Sequence, residues 1–175
     1  MLFFGSCAKY VTGSYDDSNI LSMTSEDFDI QIATEMVLDL EKPILKISDG
    51  DFIKREDFEK LQNEYDIFSG ESGINPLYTF IDVADLEDPT KNKFEVIGRY
   101  RYPTLFDGNI EITKAYIVTL TYKDNTPPVI ELHINQEPVS GSGIATDFLR
   151  DYIYKPDGNG GWVFNSIGGT VNLPH

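Results

Sequence analysis

The sequence predicts an α+β domain in which two N-terminal helices pack on a curved antiparallel sheet of four to five strands. Apolar residues recur at helical spacing as far as Tyr65, and from about Leu77 the hydrophobic period changes from 3.6 to 2. Clusters of Gly, Pro, Asn and Asp separate the alternating segments. Helices followed by a run of strands are typical of an α+β domain.

The first helix is expected to begin at residues 24–27. Thr24 and Ser25 carry hydroxyl groups that can cap a helix, and Glu26 and Asp27 suit its first turn, where unpaired amides carry partial positive charge. We expect this helix to end at Pro43, which lacks a backbone N–H. Its apolar stripe consists of Phe28, Ile32, Met36 and Leu40.

A second helical pattern follows Asp51. Phe58, Leu61 and Tyr65 share one side of it, and acidic and basic residues occupy the other. The glycines in residues 69–73 are expected to end this helix.

The remaining chain has the pattern of a meander of long strands. Residues 106–109 are predicted to form a hairpin turn, and 110–123 a long strand with an exposed edge suited to strand pairing. Residues 146–154 fit either a short helix or a strand. The predicted strands are 77–83, 93–102, 110–123, 129–135 and 162–167.

Composition limits the classes of function. The chain has 175 residues, of which 41% are hydrophobic, and this is enough for one domain with its own core. Fourteen basic and 29 acidic residues give a net charge of −15, which disfavours nucleic acid as a partner. With one Cys and two His, the chain can form neither an intrachain disulfide nor a Cys/His zinc site. We therefore expect no metal and no cofactor.

The chain opens with an apolar stretch that is closed by two small residues, Gly5 and Ser6, and the lone Cys7. This segment resembles the end of a bacterial lipoprotein signal peptide, in which an apolar region meets small residues directly before the acylated cysteine. The resemblance implies that Cys7 is lipidated and becomes the mature N-terminus. A complete leader also needs a basic region and about 7–15 apolar residues, so we expect the true start to lie upstream.

These features divide the chain into three parts. Residues 1–7 are interpreted as a truncated signal remnant, 8–25 as a polar tether rich in Ser, Thr, Gly, Asn and Asp, and 26–175 as a single α+β domain. The alternative is that residues 2–4 form an edge strand or docking segment and that Cys7 is an ordinary buried residue.

The lipoprotein resemblance also implies a location. The chain would be attached to a membrane of the bacterial cell envelope through lipidated Cys7. Ala8, which follows the cysteine, favours the periplasmic face of the outer membrane. A cytoplasmic location remains the alternative.

Four residues are candidates for binding or catalysis. Arg99 and Arg101 share one strand face and could clamp an anionic ligand, or they could pair with acidic side chains of neighbouring strands. His133 and Glu131 alternate with aliphatic residues of the same predicted strand. If the aliphatic face is the core, His133 lies on the outer side of the sheet and needs no role. If a pocket lies there, His133 and Glu131 are the first acid/base pair to test.

The order of elements resembles the cone of the cystatin and nuclear-transport-factor superfamily, where a curved sheet wraps a helix and leaves a pocket. We expect a lipid-anchored, non-catalytic envelope protein whose domain binds a protein partner or a small ligand. Two alternatives stay open: a small cone-fold enzyme that uses His133 and Glu131, and a structural subunit of a larger assembly.

Overall fold

The computed structural model describes residues 19–46, 55–68, 79–83, 93–97 and 103–169. Its main sheet is antiparallel and five-stranded, with the order β1-β4-β5-β6-β7, and β2 and β3 form a separate two-stranded sheet. The strands are β1 (Ile20–Asp27), β2 (Thr79–Val83), β3 (Lys93–Ile97), β4 (Ile110–Tyr122), β5 (Val129–Pro138), β6 (Arg150–Pro156) and β7 (Trp162–Gly168). The α-helices are α1 (Ile30–Glu41) and α2 (Arg55–Glu64). The 3-10 segments are Lys42–Lys46, Asp66–Phe68 and Leu105–Asp107.

The predicted antiparallel sheet and the α+β class are confirmed. The alternation in β4 and β5 produces two long strands that pair antiparallel, with Ala115 opposite Ile134 and Ile117 opposite Leu132. Directly paired residues lie on the same face of a sheet, so these four apolar side chains point to one side. That side carries α1 and forms the helix face of the sheet.

The prediction that a helix begins at residues 24–27 is wrong. These residues belong to β1, in which Thr24 pairs with Thr119 and Ser25 with Val118. β-Branched and hydroxyl side chains are tolerated in a strand as well as at a helix cap, and the long-range pairing with β4 decides between the two. The end of the predicted tether, residues 20–25, therefore lies in β1, while residues 1–18 lie outside the described part of the chain.

The N-cap of α1 is Asp29. One of its carboxylate oxygens accepts hydrogen bonds from the amides of Gln31 and Ile32 at 2.8 and 3.0 Å. The α-helix ends at Glu41, two residues before the proline that was expected to end it, and continues as a 3-10 segment. Ala33, Val37 and Glu41 are its buried positions.

The core lies between α1 and the helix face of the sheet. α1 is the main helix of the fold, whereas α2 packs chiefly on the 3-10 turn that follows it. Burial of this apolar surface is the dominant stabilising contribution to the domain. The buried core residues are Ala33, Val37, Ile44, Ile67, Phe68, Ala115, Leu132, Ile134, Tyr152 and Tyr154.

Two details of the predicted meander are corrected, and one that was left open is resolved. β4 was expected to have an exposed edge, but it lies inside the sheet between β1 and β5. Residues 106–109 form a turn with Gly108 in the left-handed region, but among the described residues this turn does not join a hairpin, because β3 pairs with β2. Of residues 146–154, which fitted either a helix or a strand, 150–154 belong to strand β6.

Candidate functional site

The sheet brings His133, Asp151 and Glu131 together on the face opposite α1. Glu131, His133 and Asn135 alternate along β5 and point away from the helix, as the sequence predicts for the first two. Asn135 of β5 pairs with Asp151 of β6, which places the Asp151 carboxylate diagonally across from His133. On the other side of β5, in strand β4, Tyr116 pairs directly with His133.

The imidazole of His133 lies between two carboxylates. Its Nδ1 is 2.6 Å from Oδ2 of Asp151, a short hydrogen bond, and its Nε2 is 3.4 Å from Oε2 of Glu131. The second distance is that of an ion pair rather than of a well-formed hydrogen bond. Asp151 was not among the predicted site residues.

Burial and the carboxylates act in opposite directions on the pKa of His133. Burial alone lowers this pKa, but the hydrogen bond to Asp151 and then the Glu131 carboxylate raise it to about 9. Burial also raises the pKa of Asp151, and the bond to His133 partly offsets that rise. His133 is therefore an imidazolium at neutral pH, held between the two acids.

The His133 site is closed to solvent. His133 is 0% exposed and Asp151 1% exposed, although the sheet face they occupy was expected to be an outer one. The ring of Tyr116 stacks on the imidazole with 5.3 Å between centroids and 12° between planes. Nζ of Lys114 lies 4.5 Å from the centroid of the same Tyr116 ring.

Three buried polar atoms of this site make no hydrogen bond within the part of the chain that the structure describes. They are Nε2 of His133, Nδ2 of Asn135 and Oδ1 of Asp151. A buried polar atom without a hydrogen bond costs free energy, so each such atom calls for an explanation. The arrangement can hold and transfer a proton, which is the chemistry expected of an acid/base pair.

A second buried polar cluster lies on the helix face of the sheet. The Glu41 carboxylate, at the end of α1, accepts hydrogen bonds from Gln136, Tyr152 and the amide of Leu105 at 2.9, 2.8 and 2.7 Å. Arg150 of β6 donates to it from 3.1 Å and also donates to the carbonyl oxygen of Pro103 at 2.8 Å. Glu41 and Arg150 are both 0% exposed.

This second cluster connects α1, the segment before β4, and strands β5 and β6. Burial raises the pKa of Glu41, and the Arg150 guanidinium opposes that rise. Neither Glu41 nor Arg150 was among the predicted site residues. A signal was present, because Glu41 continues the four-residue spacing of Ala33 and Val37 and so places an acid on the buried side of the helix.

The other predicted site residues lie outside the described residues. These are Cys7, the expected lipidation site, and Arg99 and Arg101, the expected anion clamp. Among the residues that are described, no cluster of His, Cys, Asp and Glu side chains is placed to hold a metal ion.

None of the helices in the described part of the chain has both the length and the apolar character needed to cross a bilayer.

Comparison with known proteins gives this chain no relative. No family model, no curated protein and no solved structure matches it.

Proposed function

We propose that this chain is a lipid-anchored, non-catalytic protein of the bacterial envelope whose domain binds a protein partner by strand addition. The observation that carries the proposal is the outer edge of β1 (Ile20–Asp27), which we name the β1 edge. β1 is the terminal strand of the five-stranded sheet, and among the described strands it pairs only with β4.

The β1 edge is accessible on both faces of the strand. Residues 21–27 are all exposed, and Leu21 and Met23 keep 65% and 45% of their surface in contact with solvent. An edge strand presents a row of backbone N–H and C=O groups to which an extended segment can pair. Alternate side chains of the added strand then contact the neighbouring strand, which gives specificity.

The acidic charge of this chain indicates which kind of strand can pair with the β1 edge. Glu26 and Asp27 end β1, Asp29 follows, and the whole chain carries a net charge of −15. Complementary charge speeds association and suppresses wrong partners. The partner strand should therefore carry basic residues, whereas a second copy of this acidic chain is disfavoured.

The membrane attachment is proposed from the N-terminal sequence. Lipidated Cys7 would hold the domain at the periplasmic face of the outer membrane, and residues 8–18 would connect it to β1. An extended chain of that length spans about 40 Å, which leaves the β1 edge within reach of other envelope proteins. The polar composition of these residues fits a tether.

Cys7→Ser tests the anchor. In protein expressed from its natural locus, wild type should partition into the detergent phase of a Triton X-114 extract, and the variant should move almost entirely to the aqueous phase. Each buried CH₂ of an acyl chain contributes about 0.8 kcal/mol to membrane affinity, so the loss of the chains dominates the partition. Ser14→Ala is the control and should stay in the detergent phase. Finding an unmodified thiol and uncleaved preceding residues by intact mass would refute the anchor.

The β1 edge is tested by site-specific photocrosslinking in cells of the source organism. A photoreactive residue at position 21 should give one crosslinked protein, and mass spectrometry should map the crosslink to an extended segment with basic residues. The control position is Val163 on β7, the opposite edge strand, which is 46% exposed. It should not crosslink to that protein.

The identified partner segment then provides a quantitative test. Leu21→Lys/Met23→Lys should weaken its binding to the purified domain about tenfold or more, because charges on an edge strand oppose strand addition. Val163→Lys should leave the affinity within about twofold. Unchanged affinity of the double variant, or crosslinking of a second copy of this chain at position 21, would overturn the proposal.

One observation favours the catalytic alternative, a small enzyme that uses His133 and Glu131. Asp151 binds Nδ1 of His133 at 2.6 Å, which is how a carboxylate orients a catalytic imidazole. The complete burial of His133 supports a structural role instead, since a substrate must reach the group that transfers its proton.

We also propose that α2 joins α1 in a two-helix layer on the sheet, in the manner of a cone fold. Leu61 of α2 and Tyr65 after it pack against the main core cluster, which supports this arrangement.

A further inference from the structure

A cleft of about 240 Å³ lies between the end of α1, residues 64–67 and β7. Its floor is apolar and is formed by Leu40, Pro43, Ile67 and Phe164. The cleft is smaller than the roughly 300–1,000 Å³ of typical small-molecule sites, which favours a single side chain over a larger ligand.

The floor is held in place by the core beneath it. Phe164 makes edge-to-face contacts with Tyr152 and Tyr154, with 6.1 and 5.7 Å between ring centroids. Pro43 and Ile67 are buried. The cleft is therefore formed before anything binds, and binding needs little ordering of its walls.

The rim of the cleft is acidic. Asp39, Glu64 and Asp66 line it, and all three are exposed. Tyr65, between Glu64 and Asp66, also lines the cleft. Carboxylates above an apolar floor suit a cation with an apolar or planar body, whereas a bare metal ion needs oxygen ligands on several sides.

We propose that this cleft, named the arginine cleft, binds an arginine side chain of a protein partner. The aliphatic stem of the arginine covers the apolar floor. Its guanidinium stacks on Tyr65 and donates to the rim carboxylates, for which its planar fork is suited. Because Phe164 belongs to β7, at the opposite edge of the sheet from β1, this site is separate from strand pairing at the β1 edge.

The test is an NMR titration of the full chain with N-acetyl-arginine methylamide. Saturable shifts are expected for Leu40, Tyr65 and Ile67, and these shifts should weaken as salt is added, because exposed charges are screened. The matched probe is the citrulline analogue, which has nearly the same shape and no charge. It should cause no saturable shifts at these residues.

A charge-matched pair of variants completes the experiment. Asp39→Asn/Glu64→Gln should weaken arginine binding about fivefold, as expected for the loss of two exposed ion pairs of roughly 0.5 kcal/mol each. Glu35→Gln/Glu59→Gln removes two exposed acids from the same two helices, outside the cleft, and should change the affinity less than twofold.

Three outcomes would overturn the arginine cleft. Equal shifts with the citrulline analogue would show that charge is not recognised. Equal weakening by both double variants would show that only net charge matters. Tighter binding of the blocked lysine than of the blocked arginine would refute the arginine assignment. None of these outcomes bears on strand addition at the β1 edge, which is measured with a different probe.

Discussion

Glu41→Gln should lower the free energy of unfolding by about 3–5 kcal/mol, the range for breaking a buried ion pair. The variant keeps the shape of the side chain and removes its charge. Arg150 is 0% exposed and a guanidinium stays protonated, so the variant removes the carboxylate that lies 3.1 Å from this buried charge. Urea denaturation at pH 7 measures the loss.

The matched control for this prediction is Glu35→Gln, which makes the same chemical change at an exposed position of the same helix. It should alter stability by less than about 0.5 kcal/mol. The double variant Glu41→Leu/Arg150→Met removes both charges. Its loss of unfolding free energy should be smaller than the sum of the losses measured for Glu41→Leu and Arg150→Met separately. Additive losses, or a loss below about 1 kcal/mol for Glu41→Gln, would contradict the structural role assigned to the pair.

The second large effect is a loss of stability at alkaline pH. The pKa of His133 is raised from 6.5 to about 9 in the folded protein by Asp151 and Glu131, against the opposing effect of burial. The resulting stabilisation is fully present below pH 6.5 and is lost as the pH rises through 9. The loss should be roughly 3 kcal/mol, since a shift from 6.5 to about 9 at about 1.4 kcal/mol per pKa unit corresponds to at most about 3.5 kcal/mol.

This loss is measured as the difference between wild type and His133→Gln in urea unfolding at pH 6 and pH 10. The comparison removes the contributions of other titrating groups, which both proteins share. The wild type should lose more stability than the variant over this interval. Asp151→Asn removes the charge of the main partner of the imidazole. It should also reduce the dependence of the unfolding free energy on pH. Parallel pH profiles of all three proteins would contradict a raised His133 pKa.

The sequence indicates β4 and β5 clearly because each strand has one face in the core. Burial of one face makes apolar residues recur at every second position. β1 leaves no such pattern, since residues 21–27 are exposed on both faces. Its position depends on pairing with a strand that begins at residue 110, far along the chain. Local cap preferences at Thr24 and Ser25 carry no information about such a pairing, so the helix boundary was misplaced.

The candidate site, too, could be predicted only where it depends on local pattern and not on long-range pairing. The phase of His133 and Glu131 follows from alternation within one strand. Asp151 reaches His133 only through the register of the next strand, which pairs Asn135 with Asp151 after a connection of irregular structure. That register depends on how the connection folds, and no periodicity in the chain encodes it.

The place of β1 at the edge of the sheet determines how the domain responds to a pull from its N-terminal side. Force transmitted through the preceding residues first meets the hydrogen bonds of Asn19 to Lys123 and Asp124, at 3.0 and 2.9 Å. It meets the Ile20–Tyr122 pair next, because β1 enters the sheet at that end. The strand would then peel away one residue pair at a time as far as the bond from the Phe28 amide to the Ala115 carbonyl. Strands β4 to β7 keep their mutual pairing while β1 detaches. Stretching therefore lengthens the chain before β4 without disrupting the rest of the sheet.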